Sequence, residues 1–204
     1  KLIDELALIV EQGSPIFYDW NRKSVGQPIF DYIRKHEGDV DGNHIPYVYD
    51  DGAKWVYNKQ KKMKMPPKYT GGTQYGTLTI GWGTTDPSTI KNYMGKTMTN
   101  AEAKKLSVPD IQKAADCIKR WQKDTVKGDH NKRRLTLSMY MAMVDIAYNK
   151  GCRGFRNTKT ISQIEEGKFK TAQSWIRDSL NWGHEGRGNE TADLFCRDGG
   201  CIDN

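Results

Sequence analysis

The sequence predicts an α+β fold that is mainly helical, with a small antiparallel sheet between an opening helix and a helical bundle. Three observations carry this. Residues Thr77 to Trp82 alternate, with Leu78, Ile80 and Trp82 on one face and Thr77, Thr79 and Gly81 on the other, which is the period of a strand. Residues Leu135 to Asn149 are apolar nearly all round, which reads as a buried central helix. Between them, Thr99-Asn-Ala-Glu102 is a capping box, a helix start in which each side chain satisfies the other's backbone N–H.

The elements follow in order. Leu2, Ile3, Leu6, Ile9 and Val10 recur at helical spacing, so residues 1–12 read as a helix. Residues 13–26 hold Gly, Pro, Ser and Asn and read as a connector. The chain opens at Lys1 rather than Met, so residues 1–26 are expected to lead from an upstream domain, and residues 27–204 to form the domain that carries the chemistry. A helix is expected from about Gln27 to His36, with Ile29, Phe30 and Ile33 as its apolar stripe and Gly38 as its stop. Ile45 to Tyr49 reads as a strand and Asp51-Gly52 as a two-residue hairpin turn. Lys54 to Tyr57 is the expected return strand, giving three strands with Thr77–Trp82. Residues 58–76 read as one long loop. Its run Lys59 to Lys68 carries five lysines and two methionines, and reads either as a solvated loop or as an envelope-binding patch.

Beyond the sheet everything is helical. Pro109 is expected to open a new helix segment, in which Ile111, Ala114, Ala115, Ile118 and Trp121 share a face. Gly151 ends the central helix, and shorter helices follow near Ile161–Glu166, Lys168–Leu180 and Glu190–Phe195. Repeats and low-complexity segments are absent from the sequence.

Composition narrows the function. At 204 residues, 36% hydrophobic and 28% charged, the chain has ordinary globular proportions, enough for one domain or two small lobes. No apolar run approaches the ~20 residues of a membrane-spanning helix. The longest, Leu135 to Tyr148, is short and contains Asp145. No signal peptide is visible. A net charge of +7 and a pI near 9.1 favour polyanionic partners: nucleic acid, anionic lipid or acidic envelope polymers. Without an Arg-rich helix, zinc-finger spacing or an aromatic RNA-binding signature, nucleic acid is not the expected partner. Four cysteines fit two disulfides of an oxidising compartment, Cys196–Cys201 and Cys117–Cys152; the alternative is four thiols in a cytosolic protein. The four histidines show no paired ligand spacing, so no metal site is expected.

Glu37 is the first candidate catalytic residue. It stands at the end of a predicted helix, where the macrodipole disfavours a carboxylate and favours the protonated form that a general acid needs. Helix-end preference therefore does not explain it. Asp51 by itself is an ordinary turn residue and Thr79 an ordinary strand residue. Thr79 stands out only because it faces away from Leu78 and Ile80.

Taken in order, these residues resemble a known family. Ile29-Phe-Asp-Tyr-Ile-Arg-Lys-His-Glu37-Gly38, Tyr49-Asp-Asp51, Thr79-Ile-Gly-Trp-Gly-Thr84, Met98-Thr-Asn-Ala-Glu-Ala103 and the stretch from Gly183 through Arg187 to Phe195 are together similar to the phage-type lysozymes, glycoside hydrolase family 24. The resemblance runs from about residue 28 to residue 196. It implies a lysozyme-like fold, with a sheet lobe and a helical lobe flanking a cleft. It implies a muramidase that cleaves the β-1,4 bond between N-acetylmuramic acid and N-acetylglucosamine, with no cofactor. Glu37 is then the general acid, while Asp51 and Thr79 hold the attacking water. Arg187 matches the family arginine that pairs with the catalytic Glu. Apart from the resemblance, aromatic rings suit sugar faces, so Tyr49 and Trp82, with Gly81, are the expected substrate contacts, the alternative for each aromatic being plain packing. The spacing departs from the family: thirteen residues separate Glu37 from Asp51 and twenty-seven separate Asp51 from Thr79, against about eight and about five in the family. Insertions in loops are thermodynamically cheap, but they leave Asp50 as a rival to Asp51.

The expected partner is peptidoglycan, met as a monomer in the periplasm or at the wall of target bacteria, either secreted or phage-delivered. A phage endolysin, a tail lysozyme and a secreted antibacterial effector share this chemistry, and an effector implies a cognate immunity protein. The rival readings are a lytic transglycosylase and a non-catalytic wall-binding module.

Overall fold

The computed structural model describes residue 18 and residues 22–39, 41–125, 135–180, 186–197 and 201. The helix expected over residues 1–12 and most of the connector lie outside these. The chain divides into two compact units, Phe30–Asp110 on one hand and Lys1–Ile29 with Ile111–Asn204 on the other.

The Phe30–Asp110 unit begins within helix α1 (Lys23–Glu37). This helix starts four residues before the expected Gln27, because Arg22 accepts the N–H groups of Val25 and Gly26 and closes a first turn. Pro28 then falls early in the helix, where its missing N–H costs only one bond. Strands β1 (Ile45–Asp50), β2 (Val56–Asn58), β3 (Met63–Met65) and β4 (Leu78–Gly81) follow. They form two two-stranded antiparallel sheets, β1 with β4 and β2 with β3. This corrects the expected three-stranded sheet. Asp51-Gly52 does make a tight turn, with Ala53 N–H on Asp50 C=O, but the chain beyond it does not return along β1. The partner of β1 is β4, in the register Tyr49↔Thr79 and Asp50↔Leu78, with an irregularity between Ile45 and Tyr49.

The lysine-rich segment is likewise more than a loop. Val56–Met65, Tyr57–Lys64 and Asn58–Met63 pair across a hairpin. Asn58 Oδ1 receives the N–H groups of Gln60 and Lys61 at its turn. Met65 enters the core beside Ile45 and Tyr49, with Tyr47 and Met63 against them. This burial holds a lysine-rich ribbon in place. Helix α2 (Pro87–Tyr93) is capped by Asp86, and α3 (Asn100–Thr125) by the expected box, in which Thr99 N–H meets Glu102 Oε2 and Glu102 N–H meets Thr99 Oγ1. Pro109 does not open a new helix: α3 runs through it. A single missing N–H is outweighed by uninterrupted turns on both sides.

In the other unit, helix α4 (Leu137–Arg156) is the buried centre, with Met139, Tyr140, Met143, Val144 and Ile146 almost wholly enclosed. Gly151, at φ +68°, breaks its helical path as expected, and a further turn carries on to Arg156. Helices α5 (Lys159–Glu165), α6 (Phe169–Leu180) and α7 (Arg187–Cys196) pack in sequence, and α7 also packs on α4. Tyr18, in the segment read as a connector, is buried: its hydroxyl donates to Leu135 C=O and its ring lies 5.1 Å from that of Tyr140.

Both expected disulfides are present, Cys117–Cys152 and Cys196–Cys201. The first ties α3 to the end of α4 across 35 residues of chain, so in the loop-entropy account it contributes about 3–4 kcal/mol, and the second, across 5 residues, contributes less. Replacing Cys117 and Cys152 by Ser is expected to lower the unfolding free energy by that amount in denaturant titrations, with a smaller loss for the Cys196/Cys201 pair.

Candidate active site

The candidate residues Glu37, Tyr49, Asp51, Thr79, Gly81 and Trp82 all belong to the Phe30–Asp110 unit. Glu37 is the last residue of α1 and is half-buried. The turn after it is closely held. A Cβ on Gly38 would run into the backbone of Gly42 and Asn43, so only glycine lets the chain turn this tightly. Asp39 is buried, and its Oδ1 accepts the N–H groups of Asp41 (3.1 Å) and Asn43 (2.9 Å). The indole N–H of Trp82 donates to Gly42 C=O at 3.0 Å. The Glu-Gly motif therefore ends its helix in a turn fixed from two sides.

Trp82 was expected to face substrate. At 2% exposure, edge-on to Phe30 and His44 as well as bonded to Gly42, it occupies a packing position. Gly81 and Gly83 flank it with φ +71° and +86°, in a hairpin closed by Ile80 and Thr84, each donating its N–H to the other's C=O at 3.0 Å. The Gly-x-Gly of the motif is thus required by left-handed backbone.

Tyr49 and Thr79 face each other across β1 and β4. Directly opposed residues of an antiparallel pair point to the same side, and Asp51 is two residues beyond Tyr49, so the three share a face. Thr79 is buried, and its hydroxyl donates to Thr77 C=O at 3.1 Å. Asp51 is exposed and continues the ladder past the strand: its N–H donates to Thr77 C=O at 3.1 Å and its Oδ1 accepts the Thr77 N–H. The Tyr49 hydroxyl reports on both carboxylates. Burial raises its pKa most, and the negative charges of Glu37 and then Asp51 push it further up. Glu37 and Asp51, fourteen residues apart in sequence, therefore both raise the pKa of one buried phenol that faces Thr79.

Hydrogen bonding sets Asp50 apart from Asp51. Asp50 is buried, its Oδ1 accepting the N–H groups of Gly52 (3.0 Å) and Gly76 (2.7 Å) and its Oδ2 that of Tyr75. Its acceptor positions serve the backbone. Gly52 and Gly76 interlock beneath it, and a Cβ on Gly52 would come within 2.6 Å of Gly76 N. Asp50 staples the end of the 52–78 insertion onto the turn that carries Asp51. Sequence reasoning missed this role, because two of its three donors lie 25 and 26 residues away.

The Tyr75 N–H above all, with those of Gly52 and Gly76, holds the Asp50 carboxyl below the ordinary range, against the opposing effect of burial. Asp50 thus ionises at lower pH in the folded chain than in the unfolded one. Its contribution is complete above the ordinary Asp value of about 3.9 and is lost as pH falls through the lower folded value. Glu102 and Asp86 shift in the same direction. Asp50→Asn is expected to remove part of the acid limb of the stability curve below about pH 4, read as a flatter dependence of Tm on pH.

Arg187, expected beside the catalytic Glu, forms a buried pair with Asp145 on α4. Its Nη2 lies 2.6 Å from Asp145 Oδ1, and Thr191 Oγ1 donates to Oδ2 at 2.9 Å. Among the described residues, no cluster of His, Cys, Asp and Glu side chains gathers to hold a metal ion.

A helix-ending Glu, a short sheet carrying Asp and Thr on one face, and a helical remainder define a lysozyme-like glycoside hydrolase. The sequence model of the family described as phage lysozyme matches residues 67–197, and the chain belongs to that family. The match spans Thr79, the Gly81-Trp82-Gly83 turn, the capping box and Arg187. It begins downstream of Glu37 and Asp51, whose candidacy rests on their placement around Tyr49 and Thr79. The fold is similar to the solved muramidase domain of SpmX from Asticaccaulis excentricus, with a TM-score of 0.50 and 16% identity over 84% of this chain and 96% of that one. No curated protein sequence matches the chain.

Proposed function

We propose that the chain cleaves the β-1,4 bond between N-acetylmuramic acid and N-acetylglucosamine with inversion at the anomeric carbon, using Glu37 as general acid and Asp51 with Thr79 to hold the water. The observation that carries this is the pairing of Tyr49 with Thr79 across β1 and β4, with Asp51 continuing the same ladder through Thr77. Two carboxyl groups around one sugar, with room for a water, are what inverting hydrolysis needs. Glu37 donates its proton to the glycosidic oxygen as the bond to the anomeric carbon breaks. Water attacks that carbon from the opposite face and gives its proton to Asp51. Thr77 N–H fixes one Asp51 oxygen and leaves the other for the water. Thr79 Oγ1, donating to Thr77 C=O, keeps its lone pairs to accept from the same water.

The substrate is then the peptidoglycan strand, and no step calls for a cofactor. Two disulfides support action in an oxidising place, such as the periplasm or the outer face of a target wall. Among the described residues, no helix is long and apolar enough to cross a membrane.

Asp51→Asn tests the water-holding role. The exchange keeps the size and the Thr77 bond but removes the base. It is expected to lower kcat on purified peptidoglycan by roughly 10²–10⁴-fold, the usual worth of a general base, with KM little changed. A kcat within threefold of the parent would remove Asp51 from the mechanism.

A further inference from the structure

Residues 52–85 carry six lysines (Lys54, Lys59, Lys61, Lys62, Lys64 and Lys68) and no Asp, Glu or Arg. The β2–β3 ribbon places most of them on a built surface. Tyr57 and Lys64 are directly paired and both exposed, Tyr57 at 62%. Met65, next to Lys64 on β3, is buried and anchors the ribbon. Beside the pair lies a concavity of about 360 Å³ walled by Tyr47, Val56, Tyr57 and Pro67, with Lys59 and Lys68 on it. Tyr47 is locked there by donating its hydroxyl to Pro66 C=O at 2.9 Å. Aromatic walls with cationic rims suit sugar rings that carry negative groups.

The ribbon is also tied to the candidate catalytic pair. Lys61 Nζ reaches Asp39 Oδ2 at 3.4 Å, in the turn directly after Glu37. The far end of the insertion is held by Asp50, next to Asp51. Both ends of the insertion are thus tied to the turns that carry Glu37 and Asp51.

From this we infer that the β2–β3 ribbon is a second binding surface for the wall strand, which it grips through the free carboxylates of the strand's peptide substituents. The inference rests on peptidoglycan being the substrate. Charge complementarity selects the occupant: the strand is a polycarboxylate, and the ribbon's own sequence carries lysines and no acid, with Lys61 engaged by Asp39. Screening by salt weakens such contacts at the surface, so binding falls with ionic strength.

The test is sedimentation of the full chain carrying Glu37→Gln with purified sacculi, which separates binding from cleavage. Two further variants are made in that background, Lys59→Gln/Lys62→Gln/Lys64→Gln and Tyr57→Ala. All four positions are exposed, and circular dichroism with thermal melting checks that each variant keeps its fold. The triple variant is expected to bind at least tenfold more weakly with a shallower salt dependence, and Tyr57→Ala several-fold more weakly. Sacculi stripped of phosphate polymers by hydrofluoric acid should bind as before, whereas sacculi with amidated carboxyl groups should lose the lysine-dependent part. Unchanged binding in the triple variant overturns the proposal, as does binding that disappears with the phosphate polymers or survives amidation. Cleavage of sacculi by the wild-type chain reports separately on the catalytic reading: its failure, with binding and lysine dependence intact, leaves the ribbon proposal standing.

Discussion

Glu37→Gln is expected to lower kcat on purified peptidoglycan by roughly 10²–10⁴-fold, the range a positioned general acid supplies. Gln is nearly isosteric, and Glu37 sits at a helix end whose turn is held by Asp39 and Trp82, so the fold should persist. KM should stay within a few-fold, because the lost interaction is made to the leaving oxygen in the transition state. Leaving groups discriminate further. An aryl glycoside of the substrate, whose phenolate departs without protonation, should be cleaved by the variant with a much smaller deficit. An equal deficit on both substrates would mean that Glu37 positions substrate rather than donating a proton. Turbidity loss, paired with circular dichroism and thermal melting, makes the first comparison.

Asp145→Ala is expected to destabilise the chain by about 3–5 kcal/mol, the usual cost of leaving a buried charge without its partner. Arg187 and Asp145 are 3% and 0% exposed, and Thr191 completes the site. The loss should appear as a fall in Tm on the order of 10 °C for a chain of this size. Arg187→Ala should cost a similar amount, and Arg187→Lys less than either, since lysine keeps the charge but cannot make the forked contact. The double change Asp145→Leu/Arg187→Met should recover most of the loss, because neither charge is then stranded. Single variants within 1 kcal/mol of the parent in denaturant titration would show that the pair is not what joins α4 to α7.

What was legible in the sequence was local. The capping box at Thr99, the Glu37-Gly38 helix end, the Thr79-Ile-Gly strand, the apolar α4 and the Cys196–Cys201 disulfide could each be read from a few neighbouring residues, and the remaining two cysteines then formed the other pair. What was illegible depended on partners far along the chain. Asp51-Gly52 carried a true turn signal, but which strand pairs with β1 is decided by Thr77 to Gly81, across the insertion. Asp50 looked like a spare carboxylate because its donors Tyr75 and Gly76 are remote. Arg187 found a partner 42 residues away, an Asp that the sequence showed only as a blemish in an apolar helix. In the 58–76 segment the lysines masked a real strand signal: Met63-Lys64-Met65 alternates, and Met65 is buried. Pro109 was read as a break because its effect on one hydrogen bond is local, whereas helix continuity is set by the turns around it. Trp82 shows the limit of residue type: an aromatic in a glycine turn suits a sugar, yet its donor N–H and two ring contacts make it part of the packing.

In the proposed mechanism Glu37 protonates a glycosidic oxygen while Asp51 and Thr79 deliver water. The most direct test is digestion of purified peptidoglycan in ¹⁸O-water by the wild-type chain and by Glu37→Gln, with mass spectrometry of the released fragments. Muramic acid reducing ends that carry one ¹⁸O from solvent are expected with the wild type, and almost no new ends with the variant. Anhydro-muramic ends without label would contradict the mechanism, because the muramic acid's own hydroxyl, rather than a held water, would then have closed the reaction.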